Sequence, residues 1–392
     1  MRVCLLNDSF PPAVDGVGKV VISYAENLKR HNCDAAVVIP KYPDADYSKY
    51  PFKIIPYGST GLFSNIAGYR CGNPYDKAAL REIIDFKPDI LHAHFPYVSV
   101  LTAVRARKRL HIPVVYTHHT KIDIDAKRVF KLTLFSKIAT AVMVHNIRYC
   151  DELWCVNEGT AAHLKSLGID KEIKIMKNGV AFPKGKALPQ KVSEETAKYN
   201  IPERVPVFLF VGRMVKCKGI PMILEAADML QKQGTDFRLV FVGSGPDEGK
   251  IKHLAKRLGL ADDKGAAKCI FTGAIYDSER LRAWYTAADL LLLPSVYDND
   301  PLVVKEAAAC ATASILIKGS CAAGDKSGGH NAILIDNTPK ALCSALAEAA
   351  ADPEGVKKMG EHAMNEVYFS QEDAVAAAYS EYERIIKKYS AK

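Results

Sequence analysis

Along most of the chain, short apolar runs alternate with stretches whose apolar residues recur at helical spacing. Runs at 3–6, 35–39, 90–93, 114–117, 153–156 and 174–176 predict strands. Helical patterns at 17–30, 73–86, 98–109, 127–146 and 159–167 fall between them. A strand covered by helices on both faces has no polar side, so it reads as a continuous apolar run. The first half therefore predicts a parallel sheet with helical crossovers.

The texture changes after the turn dipeptide Asn178-Gly179. Residues 181–204 are rich in Pro, Lys and Glu and poor in large apolar groups, which suits a linker with one short helix. Apolar runs resume at 207–211, 239–242, 269–272, 290–293 and 314–317, again separated by helical patterns. A chain of 392 residues exceeds what one hydrophobic core fills, so two successive sheets mean two doubly wound α/β domains. We expect an N-terminal domain over 1–183, a linker over 184–204 and a C-terminal domain over 205–370. The stretch 371–388 is amphipathic, and segment 371–392 is expected to return as a helix to the N-terminal domain.

Composition narrows the setting. The longest apolar candidate, 138–144, is far below the roughly 20 residues of a membrane span, and the start of the chain lacks a signal-peptide core. Ten cysteines without a C-x-x-C pair suit reduced thiols, so a cytoplasmic protein is expected. Of the net charge of +9, residues 1–180 carry +8. The excess is densest at Arg105, Arg107, Lys108, Arg109, Lys121, Lys127, Arg128, Lys131 and Lys137, opposed by Asp123 and Asp125. A solvated helix face would look like this, and so would a surface for an anionic membrane or a phosphorylated acceptor. Apolar residues interleaved there (Val129-Phe130, Leu132, Leu134-Phe135, Ile138) suit a peripheral contact with the inner membrane face. No nucleic-acid recognition motif accompanies the bases, so nucleic acid is not expected.

In open parallel sheets, ligands bind beyond the carboxyl ends of the strands. After the first strand, Gly16 and Gly18 at a helix start can bring backbone amides to a phosphate or a sugar oxygen, or can simply form a turn. The dinucleotide fingerprint is broken by Val21 and, after Gly243-Ser244-Gly245, by Glu248, which argues against a nicotinamide dehydrogenase. After run 207–211, Arg213 and Lys218 flank a strand-to-helix turn, where a guanidinium and an ammonium can clamp a diphosphate leaving group. After run 290–293, Asp298-Asn299-Asp300-Pro301-Leu302-Val303 leads into a helix that carries Glu306. Two carboxylates eight positions apart can accept sugar and ribose hydroxyls, with helix amides between them for phosphate. Taken singly, each motif also fits an ordinary surface turn or a dipole-matched acid. His92-Ala93-His94 and Thr117-His118-His119-Thr120 follow two strands, but no carboxylate or thiolate completes a metal set.

Together and in this order, these segments resemble the retaining glycosyltransferases of family 4, which have the GT-B fold. The resemblance spans the Gly16 loop, the histidine turn, Gly212-Arg213 with Lys218-Gly219, Phe271-Thr272-Gly273, Ala287-Ala288-Asp289 before Pro294-Ser295, and the acid-to-acid segment. It implies two Rossmann-like domains facing across a cleft, the first for an acceptor and the second for a nucleotide-sugar donor. Arg213 and Lys218 would hold the diphosphate, Glu306 the ribose, and Asp298 and His118 would meet the transferred sugar, with His119 as the adjacent candidate. The first acid is usually Glu in that family and is Asp here. The implied activity is transfer of a hexose, from a UDP-hexose, to a lipid, glycan or small-molecule acceptor, with no metal and no other cofactor. A nucleotide-sugar epimerase or a non-catalytic sugar-nucleotide binding protein would share the fold.

Overall fold

A computed structural model describes all residues except 14–15, 44, 62–69, 130–131, 262–267, 325 and 392; the side chains of 128 and 129 also lie outside the description. The chain forms two units, one made of residues 1–179 with 371–392, the other of 180–370. In the first, strands β1 (Arg2–Leu6), β2 (Asp34–Pro40), β3 (Lys53–Tyr57), β6 (Ile90–Ala93), β7 (Val114–His118), β8 (Glu152–Cys155) and β9 (Ile173–Ile175) make one parallel sheet in the order β3-β2-β1-β6-β7-β8-β9. A two-stranded ribbon, β4 (Ser59–Thr60) with β5 (Cys71–Gly72), stands apart from it. The sheet core is apolar on both sides: Val3, Cys4, Leu5 and Leu6 of β1 are all 0% exposed. Helix Gln371–Ser390 packs on helix Gly16–Leu28, and its Arg384 and Lys388 reach Glu152 at 3.3 and 3.2 Å.

In the second unit, β10 (Val207–Val211), β11 (Arg238–Val242), β12 (Cys269–Gly273), β13 (Leu290–Leu293), β14 (Ala313–Ile317) and β15 (Ile333–Ile335) make a parallel sheet in the order β12-β11-β10-β13-β14-β15. Both sheets reverse direction beside their first strand, between β1 and β6 and between β10 and β13. Those reversals are the switch points where doubly wound folds bind ligands.

Three expectations change. The predicted helix 127–146 is two helices, Ile122–Val129 and Thr133–Ile147. The edge strands β3 and β15 carried no signal in the pattern. Of the stretch expected as a linker, helix Pro189–Ala197 belongs to the second unit, packed on helix Ser278–Ala287. Its Glu195 is buried and takes Arg280 at 2.8 and 3.2 Å, Trp284 Nε1 at 3.2 Å, and Lys198. The anchor is a charged residue in a polar stretch, so the apolar pattern passed it by.

Candidate functional site

At the switch point of the second unit, three loops meet. The first leaves β10 through Gly212, Arg213 and a short turn at Lys216–Lys218, then enters helix Ile220–Lys232. Gly219 stands at that entry with φ of 77°, and a side chain there would collide with the Pro294 carbonyl in the loop after β13. Only glycine lets these two loops touch. A side chain at Gly243, after β11, would collide with the Gly212 carbonyl in the same way.

This close approach brings the charged residues together. Lys218 Nζ forms an ion pair with Asp298 Oδ1; their side chains are only 20% and 12% exposed. The other oxygen of Asp298, Oδ2, is buried and accepts no hydrogen bond among the described residues. Ser295 Oγ steadies the loop, accepting from the Tyr297 amide at 3.2 Å and donating to the Cys217 carbonyl at 3.3 Å. Arg213 is exposed and forms no ion pair among the described residues. Pro301 caps helix Leu302–Ala309, so the amides of Leu302 and Val303 open its first turn. Glu306, one turn further on, accepts from Tyr285 Oη at 2.8 Å. Sequence reading missed Tyr285, which is fully buried and braces one oxygen of that carboxylate.

Two expected donor contacts, Asn299 and Asp300, are enclosed in the loop. Asp300 pairs with Lys305 at 2.6 Å, and both side chains are under 10% exposed, so its charge is spent inside the loop. Asn299 is buried at 8% exposure and belongs to the same packed turn. Arg213, on the loop after β10, is exposed, and Lys218, Asp298 and Glu306 are partly exposed.

In the first unit, Gly16 is exposed at the start of its helix, with nothing within 4 Å of where a Cβ would stand, so its backbone can be approached. Asp8 lies in the loop after β1. It accepts from the amides of Val98 (2.9 Å) and Ser99 (2.8 Å), from Ser99 Oγ and from Tyr57 Oη (3.2 Å). The carboxylate thus caps helix Val98–Leu110. Burial pushes its pKa up to about 6 despite those donors.

The four histidines divide. His92 bonds Tyr382 of the last helix at 2.5 Å and Thr117 at 2.7 Å, and His94 meets His119 at 3.0 Å. His118 is 0% exposed, bonded to Tyr116 Oη at 3.0 Å and stacked on His163, which holds Asp123 at 2.9 Å. Its Nε2 is buried, and burial lowers its pKa to about 3, so it is neutral. His118 is therefore enclosed, with Nε2 unpartnered among the described residues. Its neighbour His119 is the partly exposed one, because consecutive side chains at a strand end point to opposite sides. Among the described residues, no three His, Cys, Asp or Glu side chains converge as metal ligands.

Part of the basic stretch 105–137 is engaged within the protein. Arg107 is tied to Asp151 at 3.1 Å, and Arg105 reaches the Pro74 carbonyl. Lys127 and Lys137 are exposed, while Lys131, Phe130 and the side chains of Arg128 and Val129 lie outside the described residues. No helix among the described residues is long and apolar enough to cross a membrane.

A family model described as Glycosyltransferase Family 4 matches residues 14–182, and one described as Glycosyl transferases group 1 matches residues 191–366. An alpha-monoglucosyldiacylglycerol synthase of Streptococcus pneumoniae is 25% identical, over 80% of this chain and 70% of its own. A GDP-mannose-dependent alpha-mannosyltransferase of Mycobacterium tuberculosis is 24% identical, over 79% and 77%. Among solved structures, Anabaena HepE in complex with UDP and glucose superposes with a TM-score of 0.77 at 16% identity, covering 97% of this chain and 99% of that one. A sucrose-phosphate synthase of Thermosynechococcus elongatus gives 0.78 at 19% identity, covering 99% of each.

Proposed function

Because this chain belongs to the family 4-like glycosyltransferases of the GT-B fold, enzymes that transfer a sugar from a nucleotide-sugar, we propose that its donor is a UDP-hexose and that it retains the anomeric configuration. The observation that carries this reading is the Lys218–Asp298 pair, which joins the loops after β10 and β13 at the switch point of the second unit, with Arg213 on the first loop and Glu306 on the helix after the second. Two cations on one strand-to-helix turn supply the charge that a diphosphate leaving group needs, so no metal is required of the mechanism. Glu306, with one oxygen braced by Tyr285, presents a fixed acceptor to a ribose hydroxyl.

In this mechanism the bond from the anomeric carbon to the UDP oxygen breaks as Arg213 and Lys218 gather the developing negative charge. The acceptor hydroxyl attacks from the face the UDP leaves, and its proton goes to a departing phosphate oxygen. In this reading Asp298, through its unpartnered Oδ2, holds the hexose. The first unit receives the acceptor, which is a lipid, a glycan or a small molecule. We place the enzyme in the cytoplasm, within reach of the inner membrane face.

Calorimetric titration of UDP, GDP and their hexose conjugates into the wild type and into Glu306→Ala tests the donor assignment. We expect one uridine ligand to bind selectively, the variant to lose that binding, and turnover to survive chelation of divalent ions. Preference for GDP would replace the donor, and binding untouched by Glu306→Ala would remove the site.

A further inference from the structure

Helix Thr133–Ile147 in the first unit turns its apolar side outward. Leu134, Phe135, Ile138 and Val142 are 67%, 55%, 51% and 44% exposed, and Leu132 just before it is 65% exposed. Residues 134, 138 and 142 follow at one-turn spacing with Phe135 beside them, so they form a single ridge. The buried positions of the same helix are Ser136, Val144, Asn146 and Ile147. A surface helix ordinarily hides its large apolar residues and shows its polar ones. This one does the reverse along its outer face, and a contiguous ridge is more than scattered exposure.

Two hollows border the same helix, one along Ser136, Thr140 and Val144 and the other at its C-terminal end by His145 and Asn146. The first, of about 540 Å³, is lined by Lys127, Lys137, His145 and Arg148, with Asp123 as its single acid. That acid is already engaged by His163 at 2.9 Å. The other, about 390 Å³, is lined by Arg105 and Lys108 with Tyr75 and Tyr149, and holds no acid. Both tyrosines are exposed, at 67% and 49%, and the Arg105 guanidinium lies 5.0 Å from the centre of the Tyr75 ring.

We infer that this face docks on a bilayer rich in anionic phospholipid, with the ridge entering the acyl boundary and the two cationic hollows taking headgroup phosphates. An exposed apolar ridge, cationic hollows bordering the same helix and exposed tyrosines at one of them are the side chains that a membrane interface takes at its successive depths. A soluble anion would use the hollows and leave the ridge without purpose. A second copy of this chain would cover the ridge, but a two-fold contact sets like against like and would bring cationic hollows together. The inference deepens the proposed function only by naming the surface at which the acceptor is met.

Sedimentation of the full chain with vesicles tests it, using phosphatidylcholine alone or mixed equally with phosphatidylglycerol, at low salt. We expect capture by the anionic vesicles. Phe135→Ser with Ile138→Ser, and separately Lys127→Glu with Lys137→Glu, should each weaken it roughly tenfold or more. All these side chains are exposed, and circular dichroism with a thermal melt verifies that each variant stays folded. A wild type that stays in the supernatant, or folded variants that sediment like it, overturns the inference. So does a wild-type dimer that the serine variant converts to monomer, which assigns the ridge to a second copy. UDP calorimetry is a separate readout, so loss of the donor assignment and loss of this surface are told apart.

Discussion

The Lys218–Asp298 pair sets the character of the donor side. An ammonium held by a nearly enclosed carboxylate meets a diphosphate only as far as it leaves that partner. Asp298→Asn removes the competing charge. UDP alone should then bind more tightly, by about 1 kcal/mol or several-fold, while turnover falls because the sugar loses its carboxylate. Calorimetry and single-turnover assays read the two effects separately, and unchanged UDP affinity would mean that the pair does not restrain Lys218. The candidates Arg213, Lys218, Asp298 and Glu306 were legible as charged residues that follow two strand ends of a parallel sheet. Asp8 and Tyr285 were not. Asp8 caps a helix that begins 90 positions away, and Tyr285 reads as one more core aromatic until Glu306 is placed beside it.

Among the elements, the inner strands of both sheets announced themselves, and of the four edge strands β9 and β12 did so while β3 and β15 did not. β10 and β13 fall on the expected 207–211 and 290–293, whereas β3, Lys-Ile-Ile-Pro-Tyr, opens on a lysine and carries a proline that suits only an edge. Helix Pro189–Ala197 is held by a charge, and that gives a test. The Arg280 guanidinium, with Lys198 beside it, lowers the pKa of Glu195 to about 2. The folded value lies below the unfolded one, so this stabilisation is complete above about pH 4.5 and is lost as pH falls through about 2. Glu195→Gln should cost the second unit roughly 1–3 kcal/mol at pH 7, since buried Trp284 keeps only a neutral acceptor. Denaturant midpoints of both proteins at pH 7 and pH 3 follow the gap, which should narrow with acid; a constant gap would mean packing, not charge.

For the molecule as a whole, the two units differ in their response to acid. Burial lowers the pKa values of His92, His94 and His118, the last to about 3, against about 6.5 in an unfolded chain. Their contribution is complete above that unfolded value and is lost as pH drops beneath it. Asp8 runs the other way: raised to about 6, it favours the folded state below its unfolded value of 3.8 and loses that advantage as pH rises through 6. Three histidines outweigh one aspartate between pH 7 and pH 5. The second unit has only exposed histidines, His253, His330 and His362. Hydrogen exchange, corrected for intrinsic rates, should therefore show β1, β6 and β7 losing protection at pH 5 while β10, β11 and β13 hold. Equal change in the two sheets would count against this division.

The first unit is completed by a helix that lies almost two hundred residues downstream of the rest of it. On the ribosome, then, the second unit is made whole while the first still waits for its last piece. At ordinary elongation rates the gap is roughly 10 to 40 s. Throughout that interval His92 has no Tyr382 and the outer side of helix Gly16–Leu28 has no cover. The part of the protein translated first is thus among the last to become native, and its nascent chain is a natural client for a holding chaperone.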